Sequence, residues 1–284
     1  VIKRLWQSEA AYRLRQNPTT MLGLGIVCGM VLLALLAPWI APYPPLEKHF
    51  DHVSEPPSLR FWLGTDQFGQ DIFSRVIWAA RLDLFIAATA VAISLLVGGL
   101  LGALAGFWGG WFDELFMRTM DILQAFPSLI LAMGIAFALG PGVFTVIVAT
   151  SAVNIPGYAR LMRASMLSEK QRTYALAARA SGNPPWRVLL RHLVPNALTP
   201  VFVNATLHFG WAILEAAGLS FLGLGVAIPN AEWGVMINMG LQDFWQGHWW
   251  SYTFPGVFIA LTVLGFNLLG DGLSDVLDPR RAHR

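Results

Sequence analysis

Charge is scarce in this chain. Asp, Glu, Lys and Arg make up 13% of 284 residues, against about 25% in an ordinary soluble domain. That deficit excludes a disordered or heavily solvated protein. Cysteine is nearly absent, and the single Cys28 excludes an intrachain disulfide framework, a cysteine-based zinc site and an iron–sulfur cluster. Cys28 is read as an apolar packing residue. The net charge of +2 is too small to imply a nucleic-acid partner. No P-loop is present, because Lys3, Lys48 and Lys170 do not follow a glycine. Ser94, Ser151 and Ser220 lie in no motif that pairs them with a histidine, which argues against an intramembrane hydrolase.

What the chain has in excess is apolar length. Hydrophobic residues make up 55% and the mean hydropathy is +0.54. They come in blocks of roughly 20, the length that crosses a hydrocarbon core. Six blocks are predicted to be transmembrane helices: Thr19 to Ala41, Leu84 to Phe107, Ile122 to Leu139, Val143 to Tyr158, Leu198 to Leu219 and Phe254 to Gly270. The first is longer than a signal-peptide core and runs on into LAPWIAPYPP without a small-residue cleavage site, so it is read as a retained anchor. Gly140, Pro141 and Gly142 divide the third block from the fourth.

The cations test that count, because Lys and Arg accumulate in cytoplasmic segments. Fifteen of the 19 lie before Pro18, at Arg118, between Arg160 and Arg191, or in the tail. The other four, Lys48, Arg60, Arg75 and Arg81, share residues 42–83 with six acids, and residues 220–252 hold none. Both termini are therefore expected in the cytoplasm, as an even number of spans requires. Residues 42–83 are too long for a structureless loop, so part of them is expected to fold on the membrane surface. Trp233, Trp245, Trp249 and Trp250 cluster on the same side, either as interfacial anchors or as a docking surface. Asp271, Asp275 and Asp278 are read as the cytoplasmic end of the last helix rather than as metal ligands.

The long cytoplasmic segment carries the most information. Tyr174, Ala177, Ala178 and Ser181 fall at helical spacing with small residues that permit close approach. Gly182, Asn183, Pro184 and Pro185 then force a bend, and a second short helix from Trp186 to Leu193 is predicted after Pro185. Two short helices outside the membrane make a docking knob. Polar residues inside spans are costly and face a bundle interior or cavity, which nominates Asn204, His208 and Glu215 on the fifth helix and Asn154 on the fourth as a translocation path. No compact intramembrane histidine cluster suggests a metal site.

The knob resembles the cytoplasmic coupling motif of ABC importer permeases: Glu-Ala-Ala, three residues, Gly, nine residues, Ile, one residue, Leu-Pro. The chain has Ala177, Ala178, Gly182 and Pro195 at that spacing, with Leu176, His192 and Val194 where the motif has Glu, Ile and Leu. GTDQFGQDIFSR from Gly64, LSFLGLG from Leu219, AEWGVMI from Ala231 and FNLLGDGLSDVLDPR from Phe266 look like the dipeptide, oligopeptide and nickel branch, in its shorter, second permease. Gln70 and Ser274 stand where that branch usually or often has Arg.

The resemblance implies an all-α polytopic fold of type I ABC importer permease kind. Residues 1–83 would hold the first helix and an extracytoplasmic segment, and residues 84–284 a five-helix core with coupling helices at about 168–194. It implies a non-catalytic permease in a bacterial inner membrane, moving di- or oligopeptides, with a metal chelate or glutathione as the alternative cargo. The chain would bind no cofactor, since ATP and Mg²⁺ belong to two separate ATPase subunits. A second homologous permease, an extracytoplasmic solute-binding protein and membrane lipid complete the implied partners. Ala177, Ala178, Arg179, Gly182 and Pro195 would form the coupling element, with Arg172 and Arg187 as polar contacts to the ATPase. A secondary transporter is the competing class. It would carry its own coupling site in broken helices and internal repeats.

Overall fold

In a computed structural model of the chain, residues 16–277 are described. The basic residues before Gln16, together with Asp278 and the arginines after it, lie outside them. Regular structure among the described residues is helical, apart from one isolated bridge between Thr65 and Asp71. Helix α1 (Pro18–Ile40) starts at Asn17, whose side chain accepts from the Thr19 amide and hydroxyl at 3.1 and 2.6 Å, with Pro18 at the first helical position. Cys28 on α1 is exposed, so its apolar contact is with the surroundings of the bundle and not with its interior.

Helix α2 (Ile72–Trp108) begins at Asp71, which caps the Ser74 amide at 2.8 Å. It starts well before the predicted Leu84 and passes unbroken through residues 83 and 84. Its first turns bury Arg75 and Asp83, 1% and 3% exposed. Protein covers these charges, which is why hydropathy alone misplaced the boundary.

Helix α3 (Gly110–Gln124) meets α4 (Ser128–Leu139) at a 90° bend around Pro127. This corrects the expected single span Ile122 to Leu139. Twelve residues rise only about 18 Å, less than the roughly 30 Å hydrocarbon core. Helix α5 (Val143–Glu169) follows the expected Gly140–Gly142 break and continues past Tyr158. Arg160 and Arg163 are thus helical rather than in a loop. They reach α3, where Arg160 meets Asp121 at 2.6 Å and Arg163 grips both oxygens of Asp113 at 2.5 and 2.6 Å.

Helices α2 and α5 make the largest contact in the fold. Gly98, Gly102 and Gly106 recur every four residues on α2, and a Cβ on Gly102 would collide with the Ala159 carbonyl. One turn earlier the Ser94 hydroxyl donates to the Ser151 carbonyl at 3.0 Å, and the Ser151 hydroxyl to the Ala90 carbonyl at 3.3 Å. Backbones this close leave no room for lipid between the two helices.

The chain then forms α6 (Thr173–Ala180), α7 (Pro185–Arg187), a π-helical stretch (Val188–Leu193), α8 (Val194–Phe221), α9 (Trp233–Gln242), a 3₁₀ turn (Phe244–Gln246) and α10 (Trp250–Leu277). By length and composition α1, α2, the run from α7 through α8, and α10 qualify as spans, and the bent α3–α4 pair is a fifth candidate. Helix α5, at 27 residues, is long enough to cross but carries Asn154, Arg160 and Arg163. The expected sixth span therefore depends on that polar side facing protein.

Residues 42–71 do fold, against the ends of α2 and α10. The Trp233 indole donates to the Val76 carbonyl at 3.0 Å and the Trp250 indole to the Thr65 carbonyl at 3.1 Å. Both tryptophans are buried, whereas Trp245 is 90% exposed. The tryptophan cluster thus separates into structural pins and a free surface residue.

Candidate functional site

The knob is built on α5. The residue that caps it, Lys170, turns back to donate to the Gly106 and Phe107 carbonyls, at 3.1 and 2.8 Å, at the end of α2. A cation there offsets the negative end of the helix dipole. Burial is the main cause that pulls the Lys170 ammonium below its ordinary range, followed by the nearby Arg179. Helix α6 then contacts the π-helical stretch, and Ala175 and Ala178 are buried in one apolar cluster with Met166, Val188 and Leu193. Ala177 and Arg179 face outward, as does Leu176 at 54% exposure. Of the expected small-residue face, Ala178 anchors the helix and Ala177 is presented.

Gly182 closes α6 at φ +74°, a left-handed conformation that side chains disfavour. The Asn183 side chain donates to the Ala178 carbonyl at 2.9 Å, satisfying an open helix end. Beyond the bend, the expected separate helix Trp186 to Leu193 is not separate. It is the start of a continuous run through α8. Pro195 explains the π-helical stretch: its ring would clash with the Arg191 carbonyl in a regular α-helix. The wider turn, in which the Val194 amide bonds to the Leu189 carbonyl, makes room. Pro195 and Arg187 are exposed, and the Arg187 guanidinium lies 5.5 Å over the exposed Trp186 ring. Arg172 is engaged within the chain, 3.5 Å from Glu169. The Tyr174 hydroxyl also donates to Glu169, at 2.6 Å, and burial with that carboxylate pushes the phenol up to about 12.

Three of the four nominated membrane residues come together. The Asn154 amide donates to the Glu215 carboxylate at 2.8 Å and to the Thr150 carbonyl at 2.8 Å. Both residues line a cavity of about 360 Å³, with His208, Gln124, Ser128 and Trp211. Asn204 lines instead a second cavity of about 660 Å³, nearer the knob, with Glu169, Arg172 and Ser274. Tyr158 packs edge-on against His208 at 5.0 Å, and among the described residues neither the Tyr158 hydroxyl nor His208 Nδ1 has a hydrogen-bond partner. Sequence reasoning missed Tyr158, Gln124 and Ser128. Ser128 directly after Pro127 was the available signal, since a polar residue at a proline break marks helix ends that line a cavity. Among the described residues, no group of three or more candidate metal ligands assembles, and Asp278 lies outside them.

Residues 98–283 match the model of the binding-protein-dependent transport system inner membrane component, and residues 4–57 match the N-terminal transmembrane domain of oligopeptide transport permease C. A di/tripeptide transport system permease protein of Pseudomonas aeruginosa is 45% identical over 98% of this chain and 92% of its own length. A dipeptide transport system permease protein of Alkalihalophilus pseudofirmus is 43% identical over 96% and 89%. A glutathione transport system permease protein of Pectobacterium atrosepticum is 39% identical over 98% and 92%. Among solved structures, an amino acid ABC transporter matches with a TM-score of 0.53 at 18% identity, covering 75% of this chain and 95% of that one, a likeness of fold. Helical among its described residues apart from one isolated bridge, and matched over residues 98–283 by the family model, the chain belongs to the inner membrane component family of binding-protein-dependent transport systems.

Proposed function

We propose that this permease imports di- or oligopeptides, driven by ATPase subunits that seat on the knob formed by α6 and α7. The observation that carries the coupling assignment is the split face of α6. Ala175 and Ala178 are buried while Leu176, Ala177 and Arg179 stand outward, and on the helical run beyond the bend Trp186 and Leu190 are both 60% exposed. Such a projecting apolar patch on a rigid base suits a partner's cleft. ATP and Mg²⁺ stay on those subunits, and this chain binds neither. A second, homologous permease completes the pathway, and an extracytoplasmic binding protein delivers the cargo. Asn154, His208 and Glu215 line this chain's share of the route, with Asn204 nearer the cytoplasmic exit. A peptide carries an ammonium, a carboxylate and amides, and the cavity offers a carboxylate, an imidazole and a carboxamide to match.

Coupling is tested in the complete complex reconstituted in lipid vesicles, comparing native chain with Gly182→Pro. Proline fixes φ near −65°, opposite to the +74° observed. Loss of binding-protein-stimulated ATP hydrolysis with subunit assembly intact supports the assignment, and undiminished stimulation overturns it. Uptake of a labelled dipeptide into the same vesicles, competed by glutathione, decides the cargo class.

A further inference from the structure

Arg81 is a cation without a carboxylate. It lies on α2 one turn before the apolar block that opens at Leu84, at the end of the helix remote from the knob. Its side chain is exposed, and its guanidinium sits 5.0 Å over the Trp78 ring. Among the described residues it makes no ion pair. The nearest acid in sequence, Asp83, points elsewhere, accepting from the Trp233 amide at 3.1 Å in the protein interior.

Below Arg81 runs an apolar groove of about 340 Å³ between α1, α2, α8 and α10. Leu35 of α1 and Phe85 and Ala88 of α2 form its sides, and Phe209 stacked on Phe266 at 4.1 Å forms its floor. Arg81, Phe85 and Ala88 follow one another along a single face of α2. Leu35 and Phe85 are 62% and 57% exposed. A second groove of about 460 Å³ shares Arg81 and Phe85, and Arg81 and Asn230 are the polar side chains along its otherwise apolar lining.

We propose that this groove is a binding site for an anionic phospholipid, its phosphate on Arg81 and one acyl chain along the trough to Phe209 and Phe266. One fixed cation at the membrane boundary with a hydrocarbon slot directly beneath it matches the two halves of a phospholipid. The groove is distinct from the polar cavity: Phe209 follows His208 on α8 and so points about 100° away from it. An anionic lipid is favoured because the ammonium of a zwitterionic headgroup already neutralises its phosphate.

Native mass spectrometry of the complete importer, extracted in mild detergent and titrated with phosphatidylglycerol, tests the site. Arg81 is exposed and unpaired, so Arg81→Gln retains the fold. It is expected to bind phosphatidylglycerol about five-fold more weakly than the native chain, while Arg81→Lys retains most of the affinity and Ala88→Trp, which fills the trough, removes it. Phosphatidylethanolamine should compete poorly, and glycerol phosphate, which lacks acyl chains, not at all. Equal retention in Arg81→Gln, or displacement by glycerol phosphate, overturns the proposal. A photoreactive residue at position 35 of the assembled importer supplies the second readout. Capture of phospholipid supports the site, and capture of another subunit shows that protein covers the groove instead.

Discussion

The Asn154 carboxamide and the Glu215 carboxylate meet at 2.8 Å across the α5–α8 contact, on the wall of a cavity. The pair is a hydrogen-bonded acid inside a membrane bundle, and such acids are retained where they serve a route or a rigid junction. The two roles separate experimentally. If Glu215 serves the route, Glu215→Gln, which keeps a partner for Asn154, lowers peptide uptake about ten-fold, equivalent to about 1.4 kcal/mol. Thermal stability of the purified complex should then be unchanged. A purely structural junction would give normal uptake in Glu215→Gln, and a fall only on Glu215→Ala, together with stability.

The glycine row on α2 sets a packing limit. Gly102→Ala places a methyl against the Ala159 backbone, and Gly99, three residues earlier, faces open space. Gly102→Ala is expected to destabilise by about 1–3 kcal/mol through overpacking. Gly99→Ala is expected to be neutral or to stabilise by up to about 1 kcal/mol from helix propensity. Thermal unfolding in one detergent measures both.

Trp233 and Trp245 should behave differently. Trp233→Phe keeps the aromatic bulk but strips the indole donor from the buried Val76 carbonyl, at about 1–3 kcal/mol. Trp245→Phe, at an exposed position, should leave unfolding unchanged. Equal effects would refute the division into pins and surface residues.

Asp66 and Arg75 form a buried pair at 3.6 Å, with Arg75 also donating to Gln70. Removing only the guanidinium, as in Arg75→Met, strands a buried carboxylate and should cost about 3–5 kcal/mol. The double variant Asp66→Asn/Arg75→Met should recover part of that loss. Burial raises the Asp66 carboxyl above its ordinary 3.8, even against the pull of Arg75. A raised acid holds its proton longer in the folded state, so its contribution is complete below 3.8 and is lost as pH rises through the folded value. Unfolding measured across that acidic window should show the downward slope in the native chain and lack it in Asp66→Asn.

The sequence made the apolar blocks, the Gly140–Gly142 break and the knob legible, because each rests on local chemistry: lipid-length apolarity, proline and glycine punctuation, and small residues at helical spacing. It hid what depends on distant partners. Arg75 and Asp83 read as loop residues because their burial comes from segments far along the chain. The bend at Pro127 was masked by apolar residues that continue across it. The Gly98–Gly102–Gly106 spacing was visible, but only the presence of α5 gives it meaning. At the site, intramembrane polarity nominated Asn154, His208 and Glu215 together. The separate placement of Asn204 required knowing where the cavities open.

One feature of the knob bears on how force would cross the membrane. From Pro185 to Phe221 the chain is one unbroken helical run of 37 residues, about 55 Å long, held closely against α10 near Gly210. Gly210 divides this rod unequally, with the longer arm toward the knob and the shorter arm toward the far side. A displacement at Trp186 would therefore be carried by one covalent rod as far as Phe221, with His208 and Glu215 riding on it either side of Gly210.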